Sequence, residues 1–222
     1  MGVIWGKGEI TMSKKNLFFV AVAALMLSAC GGNKPFSQLA SAQQEALDFA
    51  MNQFDKQKKM NEFPDEVEDS KGNDGNKWQE LLDKQNEVAQ NCVGTEVEAE
   101  ATADAGVSID GNFQVTNVTP GADPTLTLVV KVKMNDESNL PKLAIIGYDD
   151  SEPLLPLSSH PFYDHETSSL QFLVRCNSDD PEFPKRLGRI TKIVITADQE
   201  LYQELKNQQR NRKEEMMRQF FY

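Results

Sequence analysis

The second half of the chain alternates between apolar and polar residues, and this period of two constrains the fold more than any other feature of the sequence. It is clearest in residues 125–134, where every second position is apolar: Leu126, Leu128, Val130, Val132 and Met134. Seven segments of this kind are separated by turn-forming residues, at 93–101, 112–119, 125–134, 142–148, 153–158, 168–176 and 189–197. Because no helical pattern interrupts them, we expect an antiparallel β-sandwich.

The strand number is compatible with an immunoglobulin-like sandwich, but the sequence lacks one hallmark of that fold. Such domains place a tryptophan between two cysteines, and no tryptophan follows Trp78 in this chain. The sequence therefore predicts an α+β protein with about seven strands and leaves the sandwich topology open.

Helical patterns flank the predicted strands on both sides. From Ser41 to Phe54, apolar residues recur at steps of three and four, and a second stripe of this period follows Asn76. The acidic, turn-rich residues 61–76 predict a solvated linker between the two helices. Asp198 can cap a last helix that runs towards Tyr222. The expected order is a helical hairpin or stalk at 37–91, a β domain at 92–197 and a helix at 198–222.

The N-terminal region predicts export. Lys14 and Lys15 precede an apolar run at 17–27, and small residues then lead to Cys30. This run is too short for a membrane span, which needs about 20 residues, and the pattern is that of a removable signal peptide. Residues 1–11 fit no part of such a signal, so we expect translation to start at Met12.

The four residues Leu27-Ser28-Ala29-Cys30 resemble the lipobox of bacterial lipoproteins. The resemblance implies cleavage before Cys30 by signal peptidase II, a diacylglycerol on its thiol and an acyl group on its amine. Two or more acyl chains give stable membrane anchoring. Residues 1–29 would then be the signal peptide and residues 30–36 the lipidated tether. Gly31, in place of aspartate, implies sorting to the outer membrane under Gram-negative rules, and the lack of an acidic cluster after Cys30 favours its periplasmic face. The alternative is an ordinary signal peptide followed by a cysteine that carries no lipid.

Charge and cysteine content narrow the function further. Without residues 1–29 the chain keeps 20 basic and 33 acidic side chains, a formal charge of −13, which argues against nucleic-acid binding. Cys92 and Cys176 would remain after lipidation of Cys30. In an oxidising compartment they could form a disulfide, or they could be two separate buried thiols.

The sequence offers little support for catalysis. The only histidines, His160 and His165, lie in one short segment with Asp164, and no second cluster completes a metal or hydrolase site. The acidic segments 149–152 and 179–180 predict solvated turns. We therefore expect no enzyme activity, no cofactor and no metal.

Two sets of residues are candidates for binding. Tyr148, Phe162 and Tyr163 could form a ligand loop, and a compact apolar group at the chain end could hook a partner: Met216, Met217, Phe220 and Phe221. The sequence predicts a lipid-anchored, non-enzymatic envelope protein that serves as an accessory or interaction module for another envelope protein. The alternative is a small-ligand or glycan-binding lipoprotein that uses the loops within 148–165.

Overall fold

A computed structural model of the chain describes residues 34–62, 74–135, 142–176 and 180–221, apart from the side chains of 60–62, 220 and 221. The helices in these ranges are α1 (Ser37–Glu62), α2 (Asp74–Gln90), α3 (Phe183–Leu187) and α4 (Gln199–Phe221). The strands are β1 (Glu96–Ala101), β2 (Val107–Thr119), β3 (Thr125–Met134), β4 (Ala144–Asp149), β5 (Glu152–Ser158), β6 (Phe162–Asp164), β7 (Ser169–Arg175) and β8 (Lys192–Thr196).

The eight strands form one continuous sheet in the order β5-β4-β8-β1-β2-β3-β7-β6. Neighbouring strands are antiparallel except β1 and β8, which run parallel near the middle of the sheet. The α+β class predicted from the sequence is confirmed. The expected arrangement is corrected in two respects, because the strands share one mixed sheet instead of two antiparallel sheets.

The sheet curls until its two edges approach each other. β5 and β6 lie at opposite ends of the strand order, yet only residues 159–161 connect them. An extended chain of that length reaches about 14 Å at most, so the two edge strands must lie close together. β5 accordingly packs against β7, the neighbour of β6. The concave side of the sheet therefore encloses a core.

That core joins the interior of the sheet to the helices. In β4, Ile145 points inwards while Ala144 and Ile146 point to the opposite face, as the two-residue period of a strand requires. Phe36, which directly precedes α1, and Leu39 in the first turn of that helix belong to the same cluster. The end of α2 and the short helix α3 complete the cluster, with Ala89, Cys92, Phe183 and Leu187.

A second, smaller apolar cluster lies on the outer face of β4, beneath α4. Tyr202 and Leu205 of the helix pack on Ala144 and Ile146 of the strand. The predicted N-cap of this helix is present, since the carboxylate of Asp198 accepts hydrogen bonds from the backbone N–H groups that follow it. In the described part of the chain, no helix combines the length and apolar character that a membrane span requires.

The edges of the sheet carry features that oppose pairing with other strands. Edge strand β5 contains Pro153 and Pro156, which cannot donate backbone hydrogen bonds. Edge strand β6 is only three residues long. The sheet is therefore poorly suited to extension by a further strand along these two edges.

Candidate interaction surface

The predicted lipid site, Cys30, lies outside the described residues, as do most of the predicted linker and the end of the chain. After Cys30, the described residues begin at position 34. Phe36 is buried in the main core, and α1 begins at Ser37 directly behind it. The helix therefore starts against the core, four residues before the helical pattern that begins at Ser41.

α1 and α2 pack against each other as a helical hairpin, one of the two arrangements expected from the sequence. The ammonium group of Lys84 donates to the carboxylate of Glu45, and this bond lowers the pKa of Glu45. Further along the hairpin the rings of Phe49 and Trp78 stack with their centroids 6.3 Å apart. In this distal part of the hairpin, residues 49–59 and 74–80, most side chains are exposed, so the hairpin carries aromatic groups out to solvent.

The apolar group predicted as a partner hook lies at the end of α4. Met216 is half-buried, at the same helical spacing as Arg212 and Gln209, which face the body of the protein. Met217 lies outside this stripe, and 42% of its surface is exposed. The side chains of Phe220 and Phe221 lie outside the described residues. The described half of the hook thus has one inward and one outward side chain.

An ion pair that the sequence did not predict holds α4 to the body. Asp180 is fully buried, and its two carboxylate oxygens accept bonds of 3.1 and 2.7 Å from Nε and Nη2 of Arg212. The same carboxylate accepts a bond from the backbone N–H of Glu182, at the start of α3. The expectation of a solvated turn at 179–180 is therefore wrong for Asp180. The sequence contains one indication of this ion pair, because Arg212 occupies a position on the inner face of α4 where an apolar residue would be usual.

The second acidic segment, 149–152, also has a specific partner. Arg189 donates from Nε to Asp149 at 3.0 Å and from Nη2 to Glu152. These groups are more exposed than Asp180, and the pairing fixes the β4–β5 turn to the segment that follows α3.

The three aromatic residues predicted to form a ligand loop are not brought together. Tyr148 packs beside the small cluster under α4, whereas Tyr163 packs against the main core. Burial and the carboxylate of Asp198 raise the pKa of Tyr148. Phe162 is the most exposed large apolar side chain of the described residues, at 65%. Only Phe162 and Tyr163 therefore share one segment, on β6.

The histidine segment forms a tight turn. The hydroxyl of Thr167 and the backbone N–H of Glu166 donate to the Asp164 carboxylate at 2.8 and 2.9 Å, and they lower its pKa below the ordinary 3.8. His165 packs edge-to-face on Tyr163, and His160 bonds the neighbouring Ser159. Within the described ranges, no group of three or more His, Cys, Asp or Glu side chains is placed to hold a metal ion.

Cys92 and Cys176 belong to the same core cluster and are described as two thiols. Burial raises the pKa of the Cys176 thiol strongly, and the neighbouring Cys92 adds to the effect. A thiol that stays protonated at neutral pH is a poor nucleophile. In the structure the two cysteines are thus separate buried thiols, the second alternative given by the sequence, and their disulfide stays a prediction.

Comparisons of the chain with models of known protein families, with curated proteins and with solved structures find no match. Its function must therefore be inferred from its own residues. Among the described residues, three surfaces present exposed large apolar side chains: the distal part of the α1–α2 hairpin, the end of α4, and the paired strands β6 and β7 with Phe162 and Leu173.

Proposed function

We propose that the protein is a lipid-anchored, non-enzymatic envelope protein that serves as an interaction module for another envelope protein. The observation that carries this proposal is the sequence Leu27-Ser28-Ala29-Cys30, only six residues ahead of the buried Phe36. An acylated Cys30 would lie on a tether of about 20 Å at most. The folded body would then work close to the membrane surface, at the periplasmic face of the outer membrane.

Two features of the described residues support a binding role over catalysis. His160, Asp164 and His165 are engaged in local turn contacts and do not converge on a cleft. Met217, in contrast, presents an exposed apolar side chain on a helix that Arg212 and Asp180 hold in place. An exposed apolar group on a rigid element is a suitable anchor for a protein partner.

The anchor is tested by replacing the acceptor thiol. In Gram-negative cells we expect the wild-type protein in the outer-membrane fraction, with a mature N-terminus at Cys30 that carries fatty acyl mass. Cys30→Ser should abolish the acyl mass and move the protein out of the membrane fraction. If fractionation and mass are the same for both proteins, the proposed anchoring is wrong.

The partner is tested by a photo-crosslinking amino acid placed at position 217. We expect an adduct with an envelope protein, and this adduct should be lost when residues 218–222 are deleted and the probe is kept at position 217. The matched control places the same probe at Val93, which is exposed to nearly the same extent, 43% against 42% for Met217, and belongs to neither proposed binding surface. Adducts of the same kind from both positions, or none from position 217, would remove the support for this partner surface.

A second candidate function is glycan or small-ligand binding, and the exposure of Phe162 favours it. A ring with 65% of its surface exposed on a short strand can stack on the apolar face of a sugar. Tyr148 is no longer part of this candidate site because it packs under α4. Binding on a glycan array that Phe162→Ala abolishes and Tyr148→Phe preserves would support this function.

A further inference from the structure

A small cleft opens between α4 and the turn that precedes α3. It has a volume of about 170 Å³ and is lined by Asp180, Lys206, Gln209, Arg210 and Lys213. The three cations of the helix follow one another at steps of four and three residues, which places them on one face. The cleft thus gathers positive charge in a chain whose formal charge is −11.

The acidic group in the lining does not cancel this charge. Both oxygens of Asp180 already bind Arg212, and one of them also accepts the N–H of Glu182. Since the Asp180 side chain is 1% exposed, its charge is balanced inside the protein by Arg212. Lys206 and Arg210 then carry the exposed positive charge of the cleft.

The two exposed cations keep the capacity to bind a ligand. The Arg210 guanidinium lies 3.9 Å from Glu214 in a pair that is exposed on both sides, and such pairs are weak. The Lys206 ammonium lies 5.9 Å from the centre of the Tyr202 ring, a contact that orients it without using its N–H donors. A ligand with higher charge density than a single carboxylate can therefore compete for both groups.

We propose that this cleft binds a phosphate group, either as inorganic phosphate or as a phosphate monoester. Arg210 offers a planar pair of donors to two oxygens of such a group, and Lys206 offers a compact charge. The half-buried amide of Gln209 can add a neutral donor. Pockets for drug-sized ligands have volumes of about 300–1,000 Å³, so a cleft of 170 Å³ suits a single phosphate group better than a whole nucleotide.

Isothermal titration calorimetry on the full-length protein in non-ionic detergent tests the proposal, with inorganic phosphate and chloride compared at equal ionic strength. We expect saturable binding of phosphate at one site. The double variant Lys206→Gln/Arg210→Gln should weaken it by about tenfold or more, because two hydrogen bonds between charged groups are lost. The matched control is Lys131→Gln/Lys133→Gln, which removes the same charge from exposed positions of β3.

The source of the phosphate is distinguished by titrating glycerol 3-phosphate, a monoester like the head group of phosphatidic acid. Tighter binding of this ester than of inorganic phosphate supports a lipid head group, and the reverse order supports free phosphate. The proposal is overturned if no saturable binding exceeds that of chloride, or if both double variants weaken binding equally. Unchanged thermal unfolding midpoints would show that both variants fold, since the four substituted side chains are exposed.

Discussion

The ion pair between Asp180 and Arg212 should be among the contacts that stabilise the fold most strongly. Loss of one partner of a buried pair leaves the other charge without compensation, at a cost of about 3–5 kcal/mol. Arg212 keeps 20% of its side chain exposed, so water can reach the remaining carboxylate in part. We therefore expect Arg212→Met to lower the free energy of unfolding by about 2–3 kcal/mol. Methionine retains much of the apolar stem, so the loss reports the charge and its bonds.

Urea unfolding measures this cost. With a slope of about 2 kcal/mol per molar urea, the midpoint should fall by about 1 M, at an unchanged slope. The matched control is Arg210→Met, whose side chain is 66% exposed and which should change stability by less than about 0.5 kcal/mol. A double-mutant cycle with Asp180→Asn should give a coupling energy of at least about 1 kcal/mol. If Arg212→Met matches the control, or if the coupling is near zero, this pair does not hold α4 to the body.

Three further predictions concern the core, a turn and a thiol. Gly147→Ala should lower the free energy of unfolding by about 1–3 kcal/mol, because the new Cβ would lie 2.9 Å from Cγ1 of the fully buried Ile190. The control is Gly75→Ala in α2, where a new Cβ meets no neighbour, and it should leave the urea midpoint unchanged or raised. The pKa of Asp164, followed by NMR, should lie below 3.8 and should rise in Thr167→Val. The stability that the bonds to the Asp164 carboxylate contribute is therefore present above pH 3.8 and is lost as the pH falls through the lowered pKa. An unchanged pKa in the variant would contradict the bond assigned to Thr167. In the reduced, native protein Cys176 should resist iodoacetamide at neutral pH and react only after denaturation. In protein from an oxidising compartment, a mass lower by two hydrogens would instead identify the disulfide with Cys92.

The local elements of this fold were largely predictable, because their signals lie in neighbouring residues. The alternation at 125–134 coincides with β3, and the C-terminal helix begins directly after Asp198 as its cap predicts. Two elements gave no signal. β6 is too short to show a period, and α3 contains a proline and spans little more than one turn.

The arrangement of these elements was not predictable in the same way. β1 pairs with β8, whose residues follow about ninety positions later, and no local pattern specifies such a partner. The sequence suggests Tyr148 as part of a ligand loop, yet the alternation of β4 turns its side chain to the face that α4 covers. Asp180 lies in a run of acidic, turn-forming residues that is ordinarily solvated, and only its pairing with Arg212 explains its burial. The basic cleft depends on the same long-range contact.

The parallel pairing of β1 with β8 also governs the order in which the sheet can be completed. Among the described strands, the β4–β5 hairpin is hydrogen-bonded to the rest of the sheet only through β8. During synthesis from the N-terminus, the hydrogen bonds that join the two halves of the sheet therefore cannot form until residues 192–196 have emerged. Pairings over such a separation close slowly. Until β8 has paired, the two halves of the sheet would be held only by the packing of β5 on β7 and by the short connection at residues 159–161, and part of the apolar inner face would stay exposed.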